Sequence, residues 1–218
     1  SRGNVVNPDD IINEYGADTM RLYEMFIGDF EKSAPWSPSS IRGCRRFLER
    51  VAGLPEIIRG EGVTPELESA FHKTIKKVTN DIDNMKFNTA IAALMALIND
   101  IFDHGSITRD EFVTFITLLC PFAPHLCEEL YESVGGTAIL SLVEWPTYDE
   151  TKTIDNTIEI AVQVLGKLRG TITVGANDSK DDILTAAKAD GKIASFIDGK
   201  TIVKEIYVPG KLVNFVVK

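Results

Sequence analysis

Residues 64–85 have the sequence TPELESAFHKTIKKVTNDIDNM, in which apolar side chains recur every three or four positions. A continuous stripe of this kind predicts a long amphipathic helix that buries one face. Thr64 and Pro65 favour a helix start here, because Pro is tolerated at the first helical position. The stripe consists of Leu67, Phe71, Ile75, Val78, Ile82 and Met85.

Further helices are predicted on both sides of this segment, as far as residue 134. Their starts and ends carry the residues that cap helices or stop them. These signals are Asn7-Pro8, Ser37-Pro38, the capping-box pair Thr108 and Glu111, and Gly135-Gly136 after a helix from His125. Because the connections are short, an antiparallel helix bundle is the expected way to cover the apolar faces.

After Trp145-Pro146 the period of the apolar pattern changes from helical to two. Alternation over 158–164 predicts a half-buried strand, and residues 172 and 174 continue it on a partner strand. Ser179 with Asp182 predicts a helix start, and two further strands are expected over 201–208 and 212–217. The fold class is therefore mainly α: a helix bundle followed by a small α+β domain in the order β-β-α-α-β-β.

Two glycine turns close the predicted hairpins. Pro209-Gly210 suits a type II turn, because Pro presets the first central position and Gly accepts a positive φ at the second. Leu165-Gly166 is also expected to form a type II turn, since Leu fits a type I′ turn poorly. Each turn presents a lysine directly after the glycine.

Charge is distributed unevenly along the 218 residues, whose net charge is -9. Residues 151–218 hold 10 basic and 8 acidic residues, whereas the first 150 residues hold 13 basic and 24 acidic ones. Because phosphate contacts depend on local basic surfaces, an acidic chain can still carry an RNA-binding face.

The three cysteines lie among apolar residues and the three histidines are scattered, so neither a disulfide framework nor a metal site is expected.

Several segments resemble class I aminoacyl-tRNA synthetases. Ser1-Arg2-Gly3-Asn4 is similar to the end of their KMSKS loop, with Ser1 as its last residue, and Tyr15-Gly16-Ala17-Asp18 is similar to the connector that follows. The runs MKFNTA at 85–90 and LCPFAPHLCEEL at 119–130 resemble the anticodon-binding helix bundle of the leucyl, isoleucyl and valyl enzymes. The resemblance implies a division into a connector over 1–35, a bundle over 36–150 and a tRNA-binding domain over 151–218. Residues 147–156, rich in Thr, Asp and Lys, are expected to form a flexible linker.

The C-terminal part favours one branch of this class. The runs VQVLGKLRG at 162–170 and IYVPGKLVN at 206–214 are similar to the small C-terminal domain of bacterial-type leucyl-tRNA synthetases. The family implies ligation of leucine to tRNA(Leu) with ATP and magnesium, in the cytoplasm, as a monomer. Two alternatives stay open: an isoleucyl or valyl fragment, and a non-catalytic helical module that binds protein.

No complete catalytic constellation is present, because the lysines of the KMSKS loop precede Ser1 in the family. We therefore expect an inactive fragment with no cofactor of its own, whose partners are tRNA(Leu) and the catalytic and editing domains of the same chain, with no membrane contact. Its role would be tRNA binding through basic side chains. The candidates are Lys167, Arg169, Lys204 and Lys211 in the C-terminal part and Arg45 and Arg46 in the bundle.

These basic residues also have plain structural explanations. Lysines on edge strands protect a sheet from aggregation. Arginines opposite an apolar stripe, such as Arg42, Arg45, Arg46 and Arg50, commonly form the solvated face of a helix. The same holds for the stretch Lys73, Lys76 and Lys77.

Overall fold

The computed structural model describes residues 5–28, 32, 34–153, 157–176 and 178–218. It divides into two compact units, Ser1–Thr153 and Ile154–Lys218. Ser1, the predicted end of the KMSKS loop, lies outside the described residues. The boundary predicted between residues 35 and 36 falls inside the first unit and stays a prediction.

The first unit is helical, as the capping signals predicted. Asn7, Ser37 and Thr108 each accept a backbone N–H at the start of a helix. The helices are α1 Pro8–Tyr15, α2 Ala17–Phe26, α3 Pro38–Ala52, α4 Pro65–Asp83, α5 Phe87–His104, α6 Arg109–Leu119 and α7 Pro124–Ser133. Short 3-10 turns cover Leu54–Ile57, Leu140–Leu142 and Glu150–Thr153.

A single apolar core joins these helices. It includes Leu22 and Tyr23 of α2, Ile98 of α5 and Phe115 of α6, all at most 1% exposed. The three cysteines are free and buried within it. Burial raises the pKa of Cys44 and of Cys120 to about 11, so neither thiol is an effective nucleophile at neutral pH.

The carboxylate of Glu111 connects the start of α6 to the start of α4. It accepts the backbone N–H of Thr108 at 2.9 Å, which completes the predicted capping box. It also accepts the backbone N–H of Thr64 at 2.6 Å and the Thr64 hydroxyl at 2.9 Å. Glu111 is 4% exposed, so its charge is satisfied almost entirely by these donors. Two helix starts therefore share one buried charge.

A second buried carboxylate, that of Asp18, connects α2 to the start of α7. One of its oxygens accepts the backbone N–H of Leu126 at 2.7 Å, and the other lies 2.8 Å from Nδ1 of His125. One turn further along α2, Arg21 donates from Nη2 to the Pro121 carbonyl at 3.1 Å. The two contacts fix α2 against the corner between α6 and α7.

Residues 147–153 pack against α4, although the sequence suggested a flexible linker over 147–156. The backbone N–H of Asp149 donates to Nδ1 of His72 at 3.0 Å, and Lys152 pairs with Glu68 at 2.7 Å. Glu150 also forms an ion pair with Lys76. The linker prediction is wrong for 147–153, because these polar side chains bind the helix; residues 154–156 lie outside the described residues.

The second unit has the predicted β-β-α-α-β-β order. Its elements are β1 Thr157–Val164, β2 Lys167–Gly175, α8 Lys180–Ala189, α9 Gly191–Ile197, β3 Ile202–Val208 and β4 Leu212–Val217. The strand order across the sheet is β2-β1-β4-β3. Both hairpins are antiparallel, whereas β1 and β4 in the centre run parallel. Buried side chains of β1, β4 and α8, among them Val162, Phe215 and Ile183, form its core.

The turn between β1 and β2 differs from the predicted type II. Leu165 has φ +54 and Gly166 has φ +75, so both central residues are left-handed, as in a type I′ turn. The twist of a type I′ turn matches that of the two strands, which outweighs the cost of placing Leu at positive φ. The Pro209-Gly210 turn has the positive φ at Gly210 that a type II turn requires.

We expect Glu111→Ala to lower the free energy of unfolding by about 3 kcal/mol, because it leaves buried N–H groups at two helix starts without an acceptor. Urea denaturation of the chain, followed by helical circular dichroism, measures the change. The control Glu132→Ala removes an exposed carboxylate from α7 and should change stability by less than about 0.5 kcal/mol. Equal effects of the two substitutions would contradict the role of Glu111.

We expect Leu165→Asn to stabilise the second unit by about 0.5–1 kcal/mol, because Asn tolerates positive φ better than Leu does. Leu165 is 58% exposed, so the substitution removes little buried surface. Amide exchange of β1 and β2 should slow accordingly. The control Leu168→Asn changes a 64% exposed residue within β2 and should bring no such gain. A stability unchanged by Leu165→Asn would argue against turn strain.

Candidate nucleic-acid interface

The two turn lysines of the second unit are both exposed, but they lie at opposite ends of the sheet. Lys167 pairs with Val164 at the end of β1, whereas Lys211 directly precedes Leu212, which pairs with Ala161. The parallel pairing of β1 and β4 causes this separation, because one hairpin turn follows β1 and the other precedes β4. From the strand spacings, the two Cα atoms are roughly 16 Å apart.

Lys204 lies at the same end of the sheet as Lys167. It pairs with Val216, the residue after Phe215, and Phe215 pairs with Val164. The two lysines occupy the two edge strands, β3 and β2, about 14 Å apart across three strand spacings. This arrangement defines a basic end of the sheet, formed by Lys167 and Lys204, with Lys211 at the other end.

Arg169 is held against a helix rather than presented at the turn. Its guanidinium lies 4.3 Å from the centre of the Phe196 ring in α9, a cation–π contact. Its Nε is buried and has no hydrogen-bond partner among the described atoms. The side chain is half-buried, so it adds less to the exposed charge than the three lysines do.

Within the part of the chain that the structure describes, carboxylates do not neutralise the exposed lysines of the sheet. Within residues 157–176 and 178–218, Lys188 forms an ion pair with Glu205 at 2.7 Å. Lys167, Lys204 and Lys211 take part in no ion pair with the residues that the structure describes. Their charges therefore face solvent and remain available to a phosphate.

The arginines of α3 differ in how many hydrogen bonds and ion pairs they form with other described residues. Arg45 donates from Nη1 to the Tyr15 carbonyl at 2.9 Å and pairs with Glu49 at 2.9 Å. Arg50 donates to Oδ1 of Asn99 at 2.7 Å. Arg46 is exposed and binds no other described residue through a hydrogen bond or ion pair. Of the two arginines predicted to contact tRNA, Arg46 is the one without a partner among the described residues.

The lysines of α4 are largely engaged within the first unit. Lys76 pairs with Glu150, and Lys77 pairs with Asp81 four residues further along the helix. This basic stretch therefore offers less free charge than α3 does.

A groove beside α3 was not predicted from the sequence. Its volume is about 460 Å³, which lies within the range of small-ligand sites. Its walls are formed by Phe26, Ser40, Gly43, Arg46, Phe47, Arg50, Met95 and Asn99. The signal in the sequence was Gly43, a glycine in the middle of an otherwise regular helix.

Comparison with known proteins identifies the family. The model of the anticodon-binding domain of tRNA ligase matches residues 65–184, from the start of α4 into α8. The chain belongs to the anticodon-binding domain family of tRNA ligases. The matched region includes most of the helix bundle and continues into the second unit.

Several relatives match the chain over its whole length. The leucine–tRNA ligase of Alkaliphilus oremlandii is 52% identical, and those of Chlorobium phaeobacteroides and Bdellovibrio bacteriovorus are each 43% identical. The chain spans 27% to 28% of the length of these relatives.

A solved structure also matches the whole chain, with a TM-score of 0.65 and 29% identity. It is the ternary complex of Agrobacterium radiobacter K84 agnB2 LeuRS with tRNA and LeuAMS, of which the match covers 30%. The helix bundle and the α+β unit are therefore found together in a LeuRS.

Among residues 5–28, 32, 34–153, 157–176 and 178–218, no three His, Cys, Asp or Glu side chains group closely enough to hold a metal ion. Within these same residues, no helix combines the length and apolar character needed to cross a membrane.

Proposed function

We propose that this chain is the tRNA-binding part of a leucyl-tRNA synthetase, which ligates leucine to tRNA(Leu) with ATP. The observation that carries the proposal is the match of the entire chain, both units included, to leucine–tRNA ligases at up to 52% identity. An isoleucyl or valyl enzyme is less well supported, since the second unit and the bundle match together in the leucine-specific relatives.

Leucine activation would take place in the remainder of the longer protein. The chain corresponds to about a quarter of its relatives, and its Gly135-Gly136 pair ends α7 instead of opening a helix at a phosphate. The backbone N–H of Gly136 donates to the Tyr131 carbonyl, as in a helix C-cap. We therefore assign ATP and magnesium to the catalytic domain, and proofreading to the editing domain, of the same chain.

The tRNA would be bound through its backbone by exposed cations of both units. Lys167 and Lys204 form the basic end of the sheet, Lys211 lies at the opposite end, and Arg46 projects from α3. Such contacts position the RNA and depend on its shape, with little reading of base edges. Arg45 and Arg169 would contribute less, because each already has an intramolecular partner.

The cellular setting follows from the proposed reaction. A leucyl-tRNA synthetase acts in translation, so we place the protein in the cytoplasm, as a monomer. Its partners would be tRNA(Leu) and the catalytic and editing domains. A protein-binding module would instead lack affinity for tRNA.

The identity of the amino acid can be tested directly with the full-length parent protein. Purified enzyme should attach leucine to tRNA(Leu), and should attach neither isoleucine nor valine to their tRNAs. The 218-residue chain alone should be inactive. The proposal would be overturned if the parent attached isoleucine or valine to tRNA. It would also be overturned if the parent did not bind tRNA.

We expect the double substitution Lys167→Gln and Lys204→Gln in the parent enzyme to weaken tRNA(Leu) binding several-fold at about 0.1 M salt. If each lysine contacts one phosphate, the slope of log affinity against log salt should become shallower by about 1.8. Filter binding across a salt series measures both quantities. Leucine-dependent pyrophosphate exchange should be unchanged.

The matched control is Lys180→Gln with Lys192→Gln, which removes the same charge from exposed positions on α8 and α9. It should leave the salt slope close to that of the unsubstituted enzyme. If both double variants behave alike, the basic end of the sheet does not form the interface.

A further inference from the structure

Gly43 is unusual in the fold of α3. It occupies the sixth position of a 15-residue helix, where glycine is less favourable than alanine. No heavy atom of the described residues lies within 4 Å of the position that a Cβ would take. Its φ is not positive, so neither backbone conformation nor close packing among the described residues explains the glycine. Its effect is to keep the floor of the groove beside α3 open.

The groove combines apolar surface with fixed hydrogen-bond donors. Phe26 and Met95 provide half-buried apolar side chains on two other helices. The Arg50 guanidinium is held in place by Asn99 and by the Phe102 ring, 4.9 Å away. A guanidinium has five donors, so Arg50 retains others for a ligand. Arg46 adds a second guanidinium that no described residue engages.

The positive charge continues beyond the groove along α3. A shallow depression of about 390 Å³ lies on its outer face, lined by Ser39, Arg42, Arg45 and Arg46. Arg46 lines both spaces, so they adjoin at its side chain. Glu49, the carboxylate of this helix turn, is already paired with Arg45. The surface therefore complements a chain of phosphates.

We propose that the Gly43 groove binds one nucleotide of the tRNA backbone. Arg46 and Arg50 would hold the phosphate, and the ribose would lie over Gly43 against Phe26 and Met95. Arginine suits this role because its planar fork can bind two phosphate oxygens at once. A protein ligand fits less well, because two guanidinium groups with free donors line the groove. This inference rests on the proposed tRNA-binding function and specifies one of its contact sites.

The decisive experiment compares Gly43→Leu with Gly43→Ala in the full-length enzyme. Both substitutions improve helix propensity, and the added Cβ meets no described atom. The midpoint of thermal unfolding should therefore stay the same or rise by about 2 °C. Gly43→Leu should nevertheless weaken tRNA(Leu) binding by about tenfold, because its side chain occupies the groove. Gly43→Ala, which is smaller, should have a much weaker effect.

Arg46→Gln provides a second test that does not depend on filling the groove. It should lower tRNA affinity and make the salt slope shallower by about 0.9, the value for one phosphate contact. The control Arg59→Gln removes the same charge from a residue whose guanidinium donates to the carbonyls of Glu56 and Ile58. Arg59→Gln should leave both quantities unchanged.

The outcomes separate this inference from the proposed function. If the unsubstituted enzyme does not bind tRNA(Leu), the proposed function fails. If it binds tRNA and either Gly43→Leu or Arg46→Gln leaves binding unchanged, the groove assignment is wrong. Leucine-dependent pyrophosphate exchange is measured in the absence of tRNA. If Gly43→Leu abolishes this exchange, the groove packs against another domain, and the groove assignment is also wrong.

Discussion

The helix bundle depends on a buried negative charge, the carboxylate of Glu111, shared between the starts of two helices. Thr64 and Thr108 lie 44 positions apart in the sequence, yet both donate backbone N–H groups to this side chain. Helix starts carry unsatisfied N–H groups and a positive partial charge, which makes them good places for a buried carboxylate. Asp18 uses the same chemistry at the start of α7, where it receives the Leu126 N–H. The bundle is therefore joined by polar contacts at helix ends as well as by its apolar core.

The sheet of the second unit imposes a different constraint, because its parallel centre fixes where each hairpin turn can lie. Lys167 and Lys211 both follow glycines in tight turns, and the sequence suggests that they act alike. The strand order sends them to opposite ends and instead places Lys204 at the end that Lys167 occupies. A folded RNA that contacts all three lysines would have to extend across the sheet. This geometry fits recognition of a broad backbone surface better than recognition of a single phosphate.

Local features were predictable from the sequence because they depend on nearby residues. The Thr108–Glu111 capping box, the helix start at Ser37 and the strand order along the chain all follow from patterns only a few residues long. The type I′ turn at Leu165 was missed, since strand twist overrides the local preference of Leu. The attachment of residues 147–153 to α4 was missed because it needs partners such as Glu68, about 80 positions away. For the same reason, the sequence gives no indication that Arg46 is free while Arg45 is bound.

The central position of β4 affects how the second unit forms during synthesis. Every earlier element of the unit leaves the ribosome before Val213 and Phe215, which fill the middle of its core. Until then β1 has one unpaired edge and the layer of α8 and α9 covers an incomplete sheet. A product truncated before β4 would therefore expose apolar surface that the complete unit buries, and it would be a target for proteolysis. The core of the second unit can therefore close only once β4 has been made.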